Sequence, residues 1–185
     1  MQKLLEGFTS PQIIKISAAT TKKAKKFAEA VIGTVYYGDS YQFNKEKIQR
    51  DHYVSKLGEE AVASICKKYG CTIEGPDYTI YKGNKKSWDS DLIVDGEDLA
   101  VKTQSLKSAK RYGTSWVFQS SQVRKDPVLE EKDTFVCFVV CDLTKKECTV
   151  YPVKKISELV FADPKLKYLV GKKKVVYLKD IDFNP

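Results

Sequence analysis

The chain has 185 residues, 42% of them hydrophobic and 30% charged, which suits one domain with a real core and argues against disorder. Its formal net charge of +8 fits a polyanionic partner, most simply nucleic acid, although a lysine-rich solvated surface gives the same sum. No apolar run reaches bilayer length and the N-terminus MQKLLEGFTSPQIIKIS lacks an apolar core with a small-residue cleavage site, so neither membrane association nor secretion is expected.

The first predicted helix runs from Ser17 to Gly33, with Ser17 as candidate N-cap and Ala24, Phe27, Ala28 and Val31 at helical spacing. Lys22, Lys23, Lys25 and Lys26 lie on it, and Tyr36, Tyr37, Asp39 and Tyr41 follow in a loop. Residues 1–44 are therefore a candidate DNA-contacting helix and arm, and an ordinary amphipathic helix with an aromatic corner fits equally. Asn44 is the candidate N-cap of a second helix with Lys47 to Tyr69 as its body and Gly70 as its stop. Ile48, Tyr53, Leu57, Ala61, Val62 and Ile65 make its apolar stripe, and Gly58 either permits close packing or marks a break.

The periodicity then changes to two. Asp91 to Asp95 and Asp98 to Gln104 read as strands joined at Asp95-Gly96, a favourable hairpin pair. Trp116 to Ser120 is a short strand, and Thr134 to Val140, apolar after its first residue, is a central buried one. Cys148 to Pro152 is its expected neighbour, joined through Asp142 to Lys146. Ile156 to Phe161 reads as a short helix and Lys174 to Leu178 as the last strand. Helices first and a stranded core after them predict a single α/β domain over residues 1–185, with a mixed central sheet flanked by helices. Of the five cysteines, Cys66, Cys137 and Cys148 read as small core hydrophobes in a reducing compartment. With His52 as the single histidine, no zinc site is expected.

Phosphodiester hydrolysis needs a divalent cation held by hard oxygen ligands, and a cationic group to orient water or stabilise developing charge. Asp91 stands immediately before the apolar Leu92, Ile93 and Val94. By alternation Asp98, Ala100, Lys102 and Gln104 share one face of their strand, while Leu99 and Val101 turn to the other, into the core. The plainer alternative is an edge strand with a protective lysine.

These residues resemble the PD-(D/E)xK, or restriction-endonuclease-like, nuclease superfamily. Asp91 is followed by Ala100-Val101-Lys102 on the next strand and then by Thr103-Gln104, with Gly58-Glu59-Glu60 on the preceding helix. The resemblance covers about Lys47 to Gln104 and departs from the pattern at Ala100, where the family carries Asp or Glu. It implies a restriction-endonuclease-like fold and a Mg²⁺-dependent endodeoxyribonuclease, with Mn²⁺ able to substitute. The implied substrate is duplex DNA, cut to a 5′-phosphate and a 3′-hydroxyl by a type II restriction-type enzyme in the cytoplasm of a bacterial, archaeal or phage-infected cell. A repair, junction-processing or phage DNA-degrading enzyme follows closely. A homodimer would account for double-strand cleavage. Asp91 is the implied metal ligand, helped by Glu59, the Val101 carbonyl and Asp98, with Glu60 second to Glu59. Lys102 is the implied water-positioning group, and Gln104 with position 100 completes the catalytic strand.

Ala100 admits three readings. It is a substitution that leaves an inactive variant, or the carboxylate comes from elsewhere (Asp98, Glu59 or Asp89), or the chain is a DNA-binding module that has lost catalysis. The first two are favoured. The stretch after the lysine strand mixes Lys107, Lys110 and Arg111 with Tyr112, Ser115, Gln119 and Gln122, a candidate set for phosphate and base contacts. A polar connection between sheet elements is the plainer alternative. In the family arrangement Gln49 and Arg50 also approach the duplex. An RNA-processing nuclease is a third possibility. Kinase, ATPase and dinucleotide chemistry are poor readings because no Gly-rich phosphate loop of the right form occurs. A Ser or Cys hydrolase is excluded by the single histidine and the lack of a nucleophile elbow.

Overall fold

In the computed structural model, which describes residues 1–32, 34, 44–81, 90–122 and 125–183, the chain opens with helix α1 (Gln2–Gly7) and strand β1 (Gln12–Lys15). The periodicity did not reveal either, because elements this short are held by tertiary docking and not by pattern. Leu4 and Phe8 are buried in the core. Ser17 caps α2 (Ala18–Val31) as expected, its hydroxyl accepting from the Thr20 N–H at 3.0 Å. The stop expected at Gly33, and the loop with Tyr36, Tyr37, Asp39 and Tyr41, lie outside the described residues. Asn44 caps α3 (Lys45–Lys68) by accepting from the Lys47 N–H at 2.9 Å, and Gly70, with φ +74°, follows its end.

Helix α3 runs unbroken through Gly58. A Cβ at that position would lie 1.9 Å from Thr103 Oγ1. The glycine thus lets the helix backbone rest directly on a strand, which settles its role as close packing. Ile48, Leu57, Ala61, Val62 and Ile65 are buried along the expected stripe, and Tyr53 packs against the same core.

Strands β2 (Ile73–Glu74), β3 (Leu92–Val94) and β4 (Glu97–Ser105) follow. Asp95 and Gly96 both take positive φ, 52° and 84°, between paired Val94 and Glu97, so the expected two-residue hairpin forms. Next comes α4 (Leu106–Tyr112), where a DNA-contacting stretch or a polar connection, but no helix, was expected. Its signal was faint: Ser105 caps the Ser108 N–H, Ala109 is buried, and two lysines and an arginine fill half of the rest. Strands β5 (Ser115–Gln119), β6 (Phe135–Asp142), β7 (Glu147–Val150), β8 (Lys154–Lys155) and β9 (Lys173–Tyr177) complete the set. The helix expected over 156–161 is only a 3-10 turn, Ile156–Glu158.

The main sheet is ordered β1-β7-β6-β4-β3-β2, with β8 also on β6. Strands β4 and β6 are parallel and their other neighbours antiparallel, so the sheet is mixed, as expected. Strand β6 is buried along nearly all its length. One sheet face packs under α3 through Leu99, Val101, Cys137 and Val139. The other carries Ala100, Val136 and Phe138, and is covered by the β5–β9 ribbon with α4 beside it, where more extensive helical cover was expected. Trp116 pins the ribbon down: its indole N–H donates to the Val139 carbonyl at 3.0 Å and its ring stacks on Phe138.

The cysteine expectation needs correction. Cys141 and Cys148 are cross-strand partners with Cα atoms 4.2 Å apart, and they form a disulfide. Linear sequence could not show that the hairpin register sets them opposite one another. Cys66, Cys71 and Cys137 are free and buried. No helix among the described residues is long and apolar enough to cross a membrane.

Gly58→Ala gains about 1 kcal/mol of helix propensity. The clash with Thr103 outweighs it, as overpacking commonly costs about 1–3 kcal/mol or more. Urea unfolding is expected to show net destabilisation, partly relieved by adding Thr103→Ala.

Candidate active site

Strand β3 is three residues long and β4 nine, so the outer edge of β4 soon runs out of strand partners. The last pair in the ladder is Leu92 with Leu99, and one step further brings Asp91 opposite Ala100. There the Asp91 carboxylate accepts from the Val101 N–H at 2.7 Å, satisfying a donor that β3 no longer reaches. The Val101 carbonyl lies on the same strand edge, because a strand residue directs its N–H and C=O to one side.

The close seat of Gly58 on Thr103 carries the next residue, Glu59, into the interior, where it is 2% exposed. Lys56 Nζ pairs with Glu59 Oε2 at 2.5 Å and Ser55 donates to Oε1 at 3.2 Å. The Lys56 ammonium is itself flanked by the Phe27 ring at 5.0 Å and the Tyr78 ring at 5.4 Å. Glu60 turns the other way, accepting from Tyr78 at 2.9 Å and pairing with Lys23 at 3.5 Å. Of the two glutamates, Glu59 is the one at the site.

Burial, and after it the negative charge of Asp91, push the Glu59 carboxyl up from 4.5 to about 7, against the pull of Lys56. Burial also raises Asp91, opposed by the Val101 N–H, Lys102 and Lys56, while Asp126 adds to the rise. Two carboxyl groups, Glu59 buried and Asp91 half-buried, are thus near enough to feel one another's charge, the kind of tension that a cation relieves.

Lys102 sits on β4 over the Phe118 ring at 4.9 Å, with its ammonium 2.5 Å from Asp126. Asp126 was missed by the sequence reading. It arrives from the segment after β5, its backbone N–H donating to the Gln119 carbonyl at 2.9 Å. No periodicity marks it, and only the Asp126-Pro127 pair hints at a turn there. Ala100 packs, partly buried, against the second core beside its strand partner Val136.

The remaining expected residues divide. Gln104 lies on the groove floor, but both its amide atoms brace the α4–β5 turn, donating to the Gly113 carbonyl and accepting from the Ser115 N–H. Asp98, expected as a metal ligand, is not brought into the group; it is exposed and lines a separate depression with Glu97, Lys132 and Asp133, because it pairs with Ile93 nearer the hairpin turn. Asp89 lies outside the described residues.

Asp91, Val101, Lys102, Thr103 and Gln104 form the floor of a groove of about 900 Å³. Lys47, Arg50 and Asp51 of α3 line one side, and Lys165, Tyr168, Lys172 and Lys173 line another. Tyr112, Ser115 and Gln119 of the expected DNA-contacting set line it too, and so does Arg50. Lys107, Lys110, Arg111 and Gln122 are exposed but outside the lining, because α4 turns its charged residues outward while Ala109 faces the core. No α2 residue lines the groove, and Lys23 there is engaged by Glu60 and Tyr78. Thr103 Oγ1 is buried with no hydrogen-bond partner among the described residues.

Among the described residues no group of three or more His, Cys, Asp or Glu side chains is gathered as a ready metal cage. The Asp91 and Glu59 oxygens are nonetheless the hard donors that a Mg²⁺-type ion takes. No family model, no curated protein and no solved structure matches this chain.

Glu59 binds its proton more tightly folded than unfolded, so its contribution favours the fold below pH 4.5 and is lost as pH rises through about 7. Glu59→Gln removes this loss. Relative to the parent chain, the variant is expected to gain on the order of 3 kcal/mol between a pH below 4.5 and a pH above 7, measured by urea unfolding at both.

Proposed function

We propose that this chain is a Mg²⁺-dependent deoxyribonuclease of the restriction-endonuclease-like superfamily, acting on duplex DNA. The observation that carries the proposal is Asp91 and Lys102 together on the floor of a groove with basic sides, with the buried Glu59 beneath it close enough to feel the Asp91 charge. Asp91 and Glu59 would hold the metal, with the Val101 carbonyl as a further oxygen. A divalent cation bound there supplies Lewis-acid polarisation of the phosphate and lowers the pKa of the attacking water. The chain's own groups do the rest. The Val101 N–H fixes the Asp91 carboxylate, and Lys56 with Ser55 fixes Glu59. Lys102 donates to the reacting phosphate and steadies the charge that grows there.

Asp126 holds Lys102 and brings a carboxylate to the lysine from a neighbouring segment, where the family pattern supplies one from position 100. Ala100 is therefore compatible with an intact site. The competing function, a DNA-binding module without catalysis, is favoured by Ala100 and by the lack of a three-carboxylate cage among the described residues. A restriction role, as against repair or phage DNA degradation, would show as discrete plasmid fragments.

The test is plasmid cleavage with Mg²⁺ or Mn²⁺. Asp91→Asn and Lys102→Ala are expected to lower cleavage on the order of 10²–10³-fold, and Asp126→Asn about 10–100-fold as a supporting partner. Ala100→Glu is expected to cut, and Lys102→Ala in that background to abolish cutting. If neither the parent nor Ala100→Glu cuts while DNA still binds, the enzyme proposal fails. Metal binding has its own readout: millimolar Mn²⁺ is expected to raise Tm more above pH 7 than below it, because cation and proton compete for the same carboxylates. Asp91→Asn should lose that rise.

A further inference from the structure

We propose that the segment from Pro164 to Lys173 is a phosphate grip that holds the DNA backbone along the side of the groove formed by β9 and the segment before it. The inference rests on the DNA reading of the groove but not on catalysis.

The segment reads PKLKYLVGKK and contains no acidic residue. Its ends are tied to the β9 ribbon. Ala162 and Val175 exchange backbone hydrogen bonds at 2.9 Å, and Lys174 pairs with Asp163 at 2.8 Å. The Lys172 N–H donates to the Leu169 carbonyl at 3.0 Å, closing the loop at Gly171, whose φ is +77°. The loop is thus anchored, and it contributes Lys165, Tyr168, Lys172 and Lys173 to the groove lining.

Lys165 extends toward the catalytic strand. Its Nζ lies 5.5 Å from the Tyr177 ring centre and 3.6 Å from where a Cβ on Gly113 would stand. Gly113 is the residue whose carbonyl receives the Gln104 amide, so this lysine is close to the end of β4. Lys47 and Arg50 add positive charge from α3. Among the described residues the acidic ones in the lining are Asp51, already paired with Lys47 at 2.8 Å, and Asp91 on the floor. Positive charge on more than one side of the groove matches a polyanion lying in it. Tyr168, 68% exposed on the same segment, offers a flat uncharged surface to a sugar or base.

Counterion release gives a test that needs no turnover. Binding of the full chain to a labelled DNA duplex is measured in EDTA across a range of salt. Each lysine that neutralises a phosphate contributes about one unit to the slope of log K against log salt. Lys165→Ala/Lys172→Ala/Lys173→Ala is expected to flatten that slope by roughly three. Tyr168→Ala is expected to weaken binding about 5-fold or more with the slope unchanged, since an aromatic contact releases no counterion. Lys67→Ala, at the far end of α3, serves as the control and should change neither.

An unchanged slope in a folded triple variant would overturn the grip, as would a parent chain that does not bind DNA at low salt. Displacement of the duplex by poly-glutamate at equal charge concentration would also overturn it, in favour of an acidic protein partner. A flattened slope in a chain that never cuts would uphold the grip while sinking the nuclease. Normal cleavage with an unchanged slope would do the reverse.

Discussion

The contact between Gly58 and Thr103 sets the geometry of the whole candidate site. A helix normally stands off a sheet by the depth of its side chains. Here the missing Cβ lets the α3 backbone settle onto β4, since an ordinary side chain would start 1.9 Å from the threonine hydroxyl. The residue after the glycine then has no route to solvent. Glu59 is buried for that reason, and Asp91 is held nearby because it must satisfy the Val101 N–H at the edge where β3 ends. One packing constraint and one backbone hydrogen bond put two carboxyl groups into each other's field.

Such a pair costs stability unless charge is supplied, and the chain supplies it from two directions. Lys56, framed by Phe27 and Tyr78, pairs with Glu59, and Lys102 lies close enough to Asp91 to oppose its rise. Lys102 is in turn paired with Asp126. The alternation of lysine and carboxylate explains how the protein tolerates buried acids. It also bears on Ala100. Position 100 faces the second apolar core beside Val136, and alanine suits that packing, while Asp126 brings negative charge to the lysine from another segment.

The groove draws its charge from elements far apart in the chain. Lys47 and Arg50 belong to the start of α3, whereas Lys165, Lys172 and Lys173 belong to a loop anchored on the β5–β9 ribbon. The ribbon is therefore more than a cover for the second sheet face. Trp116 fixes it to β6, and its partner strand carries the basic loop to the groove. The expected basic set on α4 faces outward because its one buried residue, Ala109, turns the other side of that short helix to the core.

Local chemistry was legible in the sequence. The Ser17 and Asn44 caps, the apolar stripe of α3, the Asp95-Gly96 turn and the buried strand β6 follow from side-chain hydrogen bonding, helical period, positive φ and hydrophobicity, all of which act over a few residues. The placement of Asp91 just before β3 and of Lys102 on β4 was legible for the same reason, since one tight hairpin fixes their register. Tertiary structure alone decided the rest. It brought Asp126 to Lys102, left Asp98 outside, paired Cys141 with Cys148, and set the basic loop along the groove. Each of these depends on the close approach of segments that no local periodicity links. Sequence could specify the elements because their determinants are short-range, but the site is made where distant elements meet, and packing determines that meeting.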